Sequence, residues 1–208
     1  MAVLVVGANG RTGKEVVARL LARGYEVKAM VRRQEAALPL EDIGAKSVVA
    51  DLQYAFEYAL NGCNEIISAV GAGMDGDPEK VDNEGVVKLI KAAQERGVGR
   101  FILVSSMGTT YADKMPEMLK PYLEAKRKSE EVLEASGLDY TIIQPGGLTD
   151  GAETGEVEAS QRLNKRGSIS RANVALVAVE ALRTESASMK TFEVLSGDMA
   201  VDEALEQL

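Results

Sequence analysis

An alternation constrains this chain more than any other feature. Short, nearly continuous apolar runs are separated by longer segments whose apolar residues recur every third or fourth position. The runs Val3–Val6, Glu26–Val31, Ser47–Ala50, Glu65–Val70, Phe101–Val104 and Tyr140–Ile143 read as strands. Arg11–Arg23, Leu52–Leu60, Pro78–Arg96 and Glu117–Ser136 read as helices between them. Val16, Val17, Leu20 and Leu21 line one side of the first, and Val86, Val87, Leu89 and Ile90 one side of the third.

Strands that are apolar on both faces need covering on both faces, and helices between successive strands make the strands parallel. Right-handed crossovers then leave one architecture, an α/β fold with a Rossmann-like doubly wound parallel sheet. After Pro145 the alternation lapses. Gly146–Gly167, rich in Gly, Thr, Asn and charge, is expected to form an irregular lobe over the sheet edge. A strand at Ser168–Ser170, a helix at Arg171–Leu182 and a strand at Thr191–Leu195 close the chain. No repeat or linker divides it, so a single domain is expected over 1–208, with a small C-terminal substrate lobe mainly in 146–208.

Composition removes whole classes of chemistry. The 208 residues include no His, which excludes Ser-His-Asp and Cys-His machinery, His-ligated zinc and imidazole acid–base work. One cysteine, Cys63, supports neither an intrachain disulfide nor a Cys-only metal site, so no metal is expected and a reducing cytoplasm suits the chain. The net charge of −8 is a poor match to nucleic acid or an anionic membrane. No apolar stretch approaches the roughly 18 residues of a membrane span, and the first strand lacks the basic flank of a signal peptide. Proton transfer must fall to Tyr, Lys, Asp, Glu or Ser.

The sharpest local motif is Gly7-Ala8-Asn9-Gly10-Arg11-Thr12-Gly13, directly after the first strand and opening the first helix. That is the context a dinucleotide fingerprint requires. Gly7 allows the tight turn, Gly10 lets backbone approach a pyrophosphate, and Gly13 lets helix and strand pack closely. The helix N-terminus adds free N–H groups and a partial positive charge. An NAD-preferring fold commonly has an acidic residue about 20 positions on, at the end of the second strand. This chain has Val31-Arg32-Arg33 there, and a guanidinium pair suits a 2′-phosphate. NADP is therefore expected over NAD, with Arg11 placed to approach the same phosphate. Asp51, with Leu52, either holds the adenine edge or serves as a plain helix cap.

Ser105 and Ser106 follow the fifth strand, and ligands of parallel sheets bind beyond the carboxyl ends of strands. Downstream, Tyr122 and Lys126 stand four apart on a helix and share a face. An ammonium beside a phenol favours the phenolate, lowering a pKa that is ordinarily about 10. That prepares Tyr122 to exchange a proton with a carbonyl oxygen or hydroxyl, although a tyrosine so placed equally suits plain packing. The loops Ala72–Asp77 and Gly146–Gly155 are expected to border the substrate.

Together, the glycine loop, Val31-Arg32-Arg33, Val104-Ser105-Ser106, Tyr122-x-x-x-Lys126 and the run Ser136–Gly146 resemble a known family. It is the atypical short-chain dehydrogenase/reductases of the NAD(P)-binding, NmrA-like kind. Small bacterial members of the epimerase/dehydratase type and the biliverdin IXβ/flavin reductases are similar. The resemblance spans nearly the whole chain, including Ser168–Ala175. It implies that Gly7, Asn9, Gly10, Arg11, Thr12 and Gly13 contact pyrophosphate and ribose. Arg32 would hold the 2′-phosphate, Asp51 and Leu52 the adenine, and Ala69, Val70 and Gly71 would line the cofactor channel. Ser106, with Ser105 the close alternative, Tyr122 as proton donor and Lys126 on the nicotinamide ribose would form the catalytic set. Pro145, Gly146 and Gly147 would wall the nicotinamide.

Two departures stand out. Gln144 replaces an arginine common in relatives, which changes the charge expected near the nicotinamide, and the chain is shorter than the sugar-nucleotide epimerases. The implied activity is reduction of a small carbonyl or quinone-like molecule by NADPH, the alternatives being an NADP-binding sensor without turnover or an epimerase/dehydratase. A small-molecule partner is expected, with no nucleic acid or membrane, in a monomer or weak homodimer.

Overall fold

The computed structural model describes residues 2–73 and 76–208. β1 (Ala2–Val6) leads through the glycine turn into α1 (Arg11–Ala22), then β2 (Val27–Val31), the single-turn α2 (Leu38–Glu41) and β3 (Lys46–Val49). β4 (Cys63–Ser68), α3 (Val86–Glu95), β5 (Arg100–Val104), α4 (Lys120–Glu134) and β6 (Tyr140–Pro145) continue the alternation. β7 (Gly147–Thr149), β8 (Glu156–Ser160), β9 (Ser168–Ser170), α5 (Arg171–Glu180), β10 (Lys190–Ser196), β11 (Met199–Ala200) and α6 (Val201–Glu206) complete the chain.

The described residues form a nine-stranded sheet in the order β11-β8-β10-β6-β5-β4-β1-β2-β3, and β7 and β9 pair separately. From β3 to β10 every neighbouring pair is parallel. β1, β2 and β3 run outward one way, then the chain returns to lay β4 on the other side of β1. That reversal opens a crevice at the carboxyl ends of β1 and β4, where open α/β sheets bind ligands. Side chains of β1 alternate between two cores, as a pleated strand requires. Val3 and Val5 join Val16, Val17 and Leu20 of α1 and Val174 and Val177 of α5. Leu4 and Val6 join Val86, Leu89 and Ile90 of α3 and Leu133 of α4.

Four expectations need correction. The segment expected as one helix over Pro78–Arg96 begins with a π-helical turn, Glu79–Gly85, before α3. The helix expected at Leu52–Leu60 shrinks to a 3-10 turn at Glu57–Leu60, because Asp51 Oδ1 accepts the Gln53 N–H at 3.0 Å and its carbonyl that of Tyr54, making a local turn instead. Gly146–Gly167 is not all irregular: β8 lies antiparallel beside β10. Of β8 only Val157 is fully buried, so an apolar-run criterion passes over it. The helix α6 follows β10, past the point where the expected strand closed the chain. Met74 and Asp75 of the expected Ala72–Asp77 loop lie outside the described residues. No helix among the described residues is long and apolar enough to cross a membrane.

Candidate functional site

The glycine loop builds the crevice wall by close packing. Gly7 sits at φ +81°, and a Cβ there would stand 2.7 Å from the Ala69 carbonyl oxygen. A Cβ at Gly13 would stand 2.1 Å from the Gly7 carbonyl, so the first turn of α1 can lie against β1 only without a side chain. Gly10 caps α1 in extended conformation, and a Cβ there would meet only the Gly7 oxygen, at 3.2 Å. The first N–H groups of α1 have no acceptor within the helix, and no acidic residue stands in its first turn to offset their positive end.

Beside this loop lies a cavity of about 310 Å³, within the range of small-molecule sites. Gly7, Asn9, Gly10, Arg32, Arg33, Asp51, Leu52, Ala69, Val70 and Gly71 line it, all of them anticipated from sequence. Met30, Ala36, Gln53 and Val81 also line it and were not anticipated. Arg32 and Arg33 are exposed at its rim, and neither meets a carboxylate among the described residues. Asp51 makes a local turn to Gln53 rather than a helix cap, and it lines the cavity.

Arg11, Thr12 and Gly13 belong to the first turn of α1 and do not line the cavity. The Arg11 guanidinium, expected near a 2′-phosphate, instead donates to Asp150 Oδ2 at 2.9 Å, and Arg171 donates to the other oxygen of Asp150. Pro145 ends β6, Gly146 N–H donates to the Val194 carbonyl, and Gly147 N–H to that of Gly167.

Past Val70 the structure places the lysine. Lys126 Nζ lies 3.2 Å from the Val70 carbonyl oxygen, 3.4 Å from that of Val104 and 3.0 Å from Asp82 Oδ1. Its side chain is 4% exposed and that of Asp82 0%. The second oxygen of Asp82 accepts the Ala72 N–H at 2.9 Å. A π-helical turn is wider than an α-turn, and here consecutive residues both serve the interior: Val81 lines the cavity while Asp82 meets the lysine. Burial alone would lower the Lys126 pKa. The charges of Tyr122, Asp82 and Glu130 more than offset it, and the group is held above its ordinary value as a cation. Tyr122 is half-buried, with Lys126 Nζ 5.3 Å from its ring centroid. Its hydroxyl makes no hydrogen bond among the described residues.

The two serines separate. Ser105 is buried and donates to Glu130 Oε1, whereas the half-buried Ser106, among the described residues, reaches only the Met107 carbonyl, at 3.2 Å. Glu130 also accepts from Thr109 Oγ1 at 2.9 Å and Gln144 Nε2 at 3.0 Å. Gln144 is 3% exposed, and it also donates to Thr109. The glutamine is thus held in a buried network around the Glu130 carboxylate, which also pairs with Arg127 at 3.3 Å. Asp82 and Glu130 were not anticipated. A signal existed for Glu130: it continues the four-residue steps of Tyr122 and Lys126, on a face framed by Leu123 and Leu133.

The glycine packing, the free α1 N–H groups and the unpartnered arginines fit an anionic dinucleotide. Comparison with known proteins agrees. A family model described as NAD(P)H-binding matches residues 7–185. The uncharacterized sugar epimerase YhfK of Bacillus subtilis is 39% identical over 215 residues, covering 100% of both chains. A solved structure described as an NAD-dependent epimerase/dehydratase from Bacillus halodurans superposes with a TM-score of 0.96 at 39% identity, covering 100% of both. ChuY, an anaerobilin reductase from Escherichia coli O157:H7, superposes at 0.80 with 26% identity, covering 96% of this chain and 98% of its own. With its glycine cradle, switch-point cavity and parallel sheet accounted for, the chain belongs to the NAD(P)H-binding family of Rossmann-like proteins.

Proposed function

We propose that the protein is an NADP-dependent oxidoreductase of the atypical short-chain dehydrogenase/reductase type, acting on a small carbonyl or quinone-like substrate. The observation that carries this reading is Lys126, a buried cation fixed by Asp82 and two backbone carbonyls under the ring of Tyr122. The nicotinamide, when bound, supplies or accepts the hydride. Arg32 and Arg33 hold the 2′-phosphate, Asp51 and Leu52 the adenine. Gly7, Asn9, Gly10, Thr12, Gly13 and the backbone of Arg11 hold pyrophosphate and ribose. Ala69, Val70 and Gly71 shape the channel, and Pro145, Gly146 and Gly147 wall its far end. Lys126, whose three N–H donors face Asp82 and the Val70 and Val104 carbonyls, exchanges one carbonyl for a ribose hydroxyl beside Tyr122. Tyr122 gives its phenolic proton to the substrate oxygen, and Ser106 orients that oxygen while Ser105 stays bound to Glu130.

The whole chain 1–208 works as one unit, with substrate-side elements mainly in 146–208. The lone half-buried Cys63 suits the reducing cytoplasm. The size suits a monomer or weak homodimer. A second reading, an epimerase/dehydratase, is favoured by the descriptions of the two Bacillus relatives.

The test is NADPH oxidation with a panel of quinones, flavins and aldehydes. Turnover should appear with at least one acceptor, and Tyr122→Phe should lower kcat by roughly 10²-fold or more while NADPH still binds. Full activity in Tyr122→Phe refutes the proton-donor role. Tight NADPH binding without oxidation by any acceptor favours a sensor, and conversion of a substrate without net NADPH loss favours the epimerase.

A further inference from the structure

The arginines of this acidic protein fall into two groups. Among the described residues, all but four meet a carboxylate or, for Arg96, the Asn61 side chain; of the four, Arg162 donates from Nε to its loop neighbour Asn164, and the other three meet no side-chain acceptor. Two of the four, Arg32 and Arg33, rim the dinucleotide cavity. The other two, Arg162 and Arg166, are exposed on the loop between β8 and β9, at the opposite side of the sheet. Lys165 between them is neutralised by Glu158.

That loop is fixed at two points. Leu163 N–H donates to Glu193 Oε2 at 2.7 Å, and the Gly167 carbonyl accepts the Gly147 N–H at 3.0 Å. Glu193 is 2% exposed, and its other oxygen accepts the Tyr111 hydroxyl at 2.9 Å. Both Glu193 oxygens are thus committed to neutral donors, and the carboxylate pairs with neither arginine. Arg162 Nε donates to Asn164 Oδ1 at 3.0 Å and its guanidinium lies 4.6 Å from the Tyr111 ring centroid, which leaves the Nη pair open for a bidentate acceptor. Arg166, four residues on in the same loop, adds a second exposed cation.

We infer that Arg162 and Arg166, beside Tyr111, form a subsite for an oxyanion arm, phosphate or carboxylate, on the reducible substrate. The inference rests on the oxidoreductase reading, which puts the substrate at the Gly146–Gly147 wall. Arg166 immediately precedes the residue hydrogen-bonded to that wall. Glu193 is in register with Gln144 on β6, which in turn lies beside β5, the strand that ends at the serines. Two strand spacings separate β5 from β10, about 10 Å. The acid group would therefore be carried on an arm of the substrate that reaches across those strands from the reduced centre.

Two matched pairs test this on the NADP⁺-loaded protein: riboflavin 5′-phosphate against riboflavin, and biliverdin against its dimethyl ester. Binding is read by flavin fluorescence quenching and by bile-pigment absorbance. The expected result is that the acid member of one pair binds at least roughly tenfold tighter, and that Arg162→Gln/Arg166→Gln removes the preference. Which pair responds tells phosphate from carboxylate. Equal binding within both pairs, a preference that survives the double variant, or no binding by any of the four overturns the subsite. Loss of NADP⁺ binding by the unmodified protein would instead count against the oxidoreductase reading, so the two failures are distinguishable.

Discussion

Asp82→Asn is the most informative perturbation of the buried pair. Asparagine keeps the shape and an acceptor for the Ala72 N–H, but it leaves the Lys126 ammonium without its counter-charge at 4% exposure. Removing one partner of a buried ion pair costs about 3–5 kcal/mol. The Val70 and Val104 carbonyls still accept from Nζ, so the low end, about 3 kcal/mol, is expected. For a chain of this size that lowers Tm by roughly 6–12 °C. Urea unfolding followed by circular dichroism should show a lower midpoint with an unchanged slope. Asp82→Leu/Lys126→Met should recover most of the loss, because an apolar pair replaces a charged one without leaving a bare ion. The pH dependence has a definite sign. In the native protein the folded-state Lys126 pKa is raised above 10.5. Its stabilisation is therefore fully present below about pH 10.5 and lost as pH rises through the raised value. The deficit of Asp82→Asn should be largest near neutral pH and narrow as pH climbs through the lysine range. A loss below about 1 kcal/mol, or strict additivity in the double variant, refutes the claim that Asp82 neutralises Lys126.

Other outcomes follow from single features. Gly13→Ala would push a methyl group to 2.1 Å from the Gly7 carbonyl, so the turn must open; weaker NADPH binding and a lower Tm are expected from titration and melting. Buried Asn173 accepts the N–H groups of Thr154 and Gly155 and donates to Thr154 Oγ1 and the Glu156 carbonyl, so Asn173→Ala should cost about 2–4 kcal/mol in urea unfolding. Burial, then the bond to Glu193 and its charge, push the Tyr111 phenol up to about 12. Because the folded state holds this proton more tightly, its contribution to stability is lost between about pH 10 and 12. Ultraviolet titration should show a late-ionising phenol that is absent in Tyr111→Phe.

Much of the fold was legible because its signals are local. The apolar runs of β1, β4, β5 and β6, and the glycines between β1 and α1, each encode their own geometry. Lys126 and Tyr122 were legible because a helix makes four-residue spacing a contact. Asp82 was not, since its inward aim comes from a π-helical turn that no periodicity reveals and its partner lies on a different helix. Glu130 was hidden by the habit of reading a charged residue as surface, though Leu123 and Leu133 frame its face. The partners of Gln144 were hidden for a related reason: they come from the loop after β5 and from α4, Thr109 and Glu130, which no local pattern joins to β6. β8 and α6 escaped because a strand with a single fully buried residue and a helix of under two turns carry almost no pattern.

What the cavity beside Gly7 and Gly10 binds decides the assignment of the site. Fluorescence titration with NADPH and with NADH, on the unmodified protein and on Arg32→Ala/Arg33→Ala, addresses this directly. NADPH should bind tighter by about tenfold or more, and the double variant should lose this preference while NADH binding changes little. Equal affinity for the two in the unmodified protein would contradict the assignment of Arg32 and Arg33 to a 2′-phosphate. Failure of both to bind would contradict the assignment of the cavity.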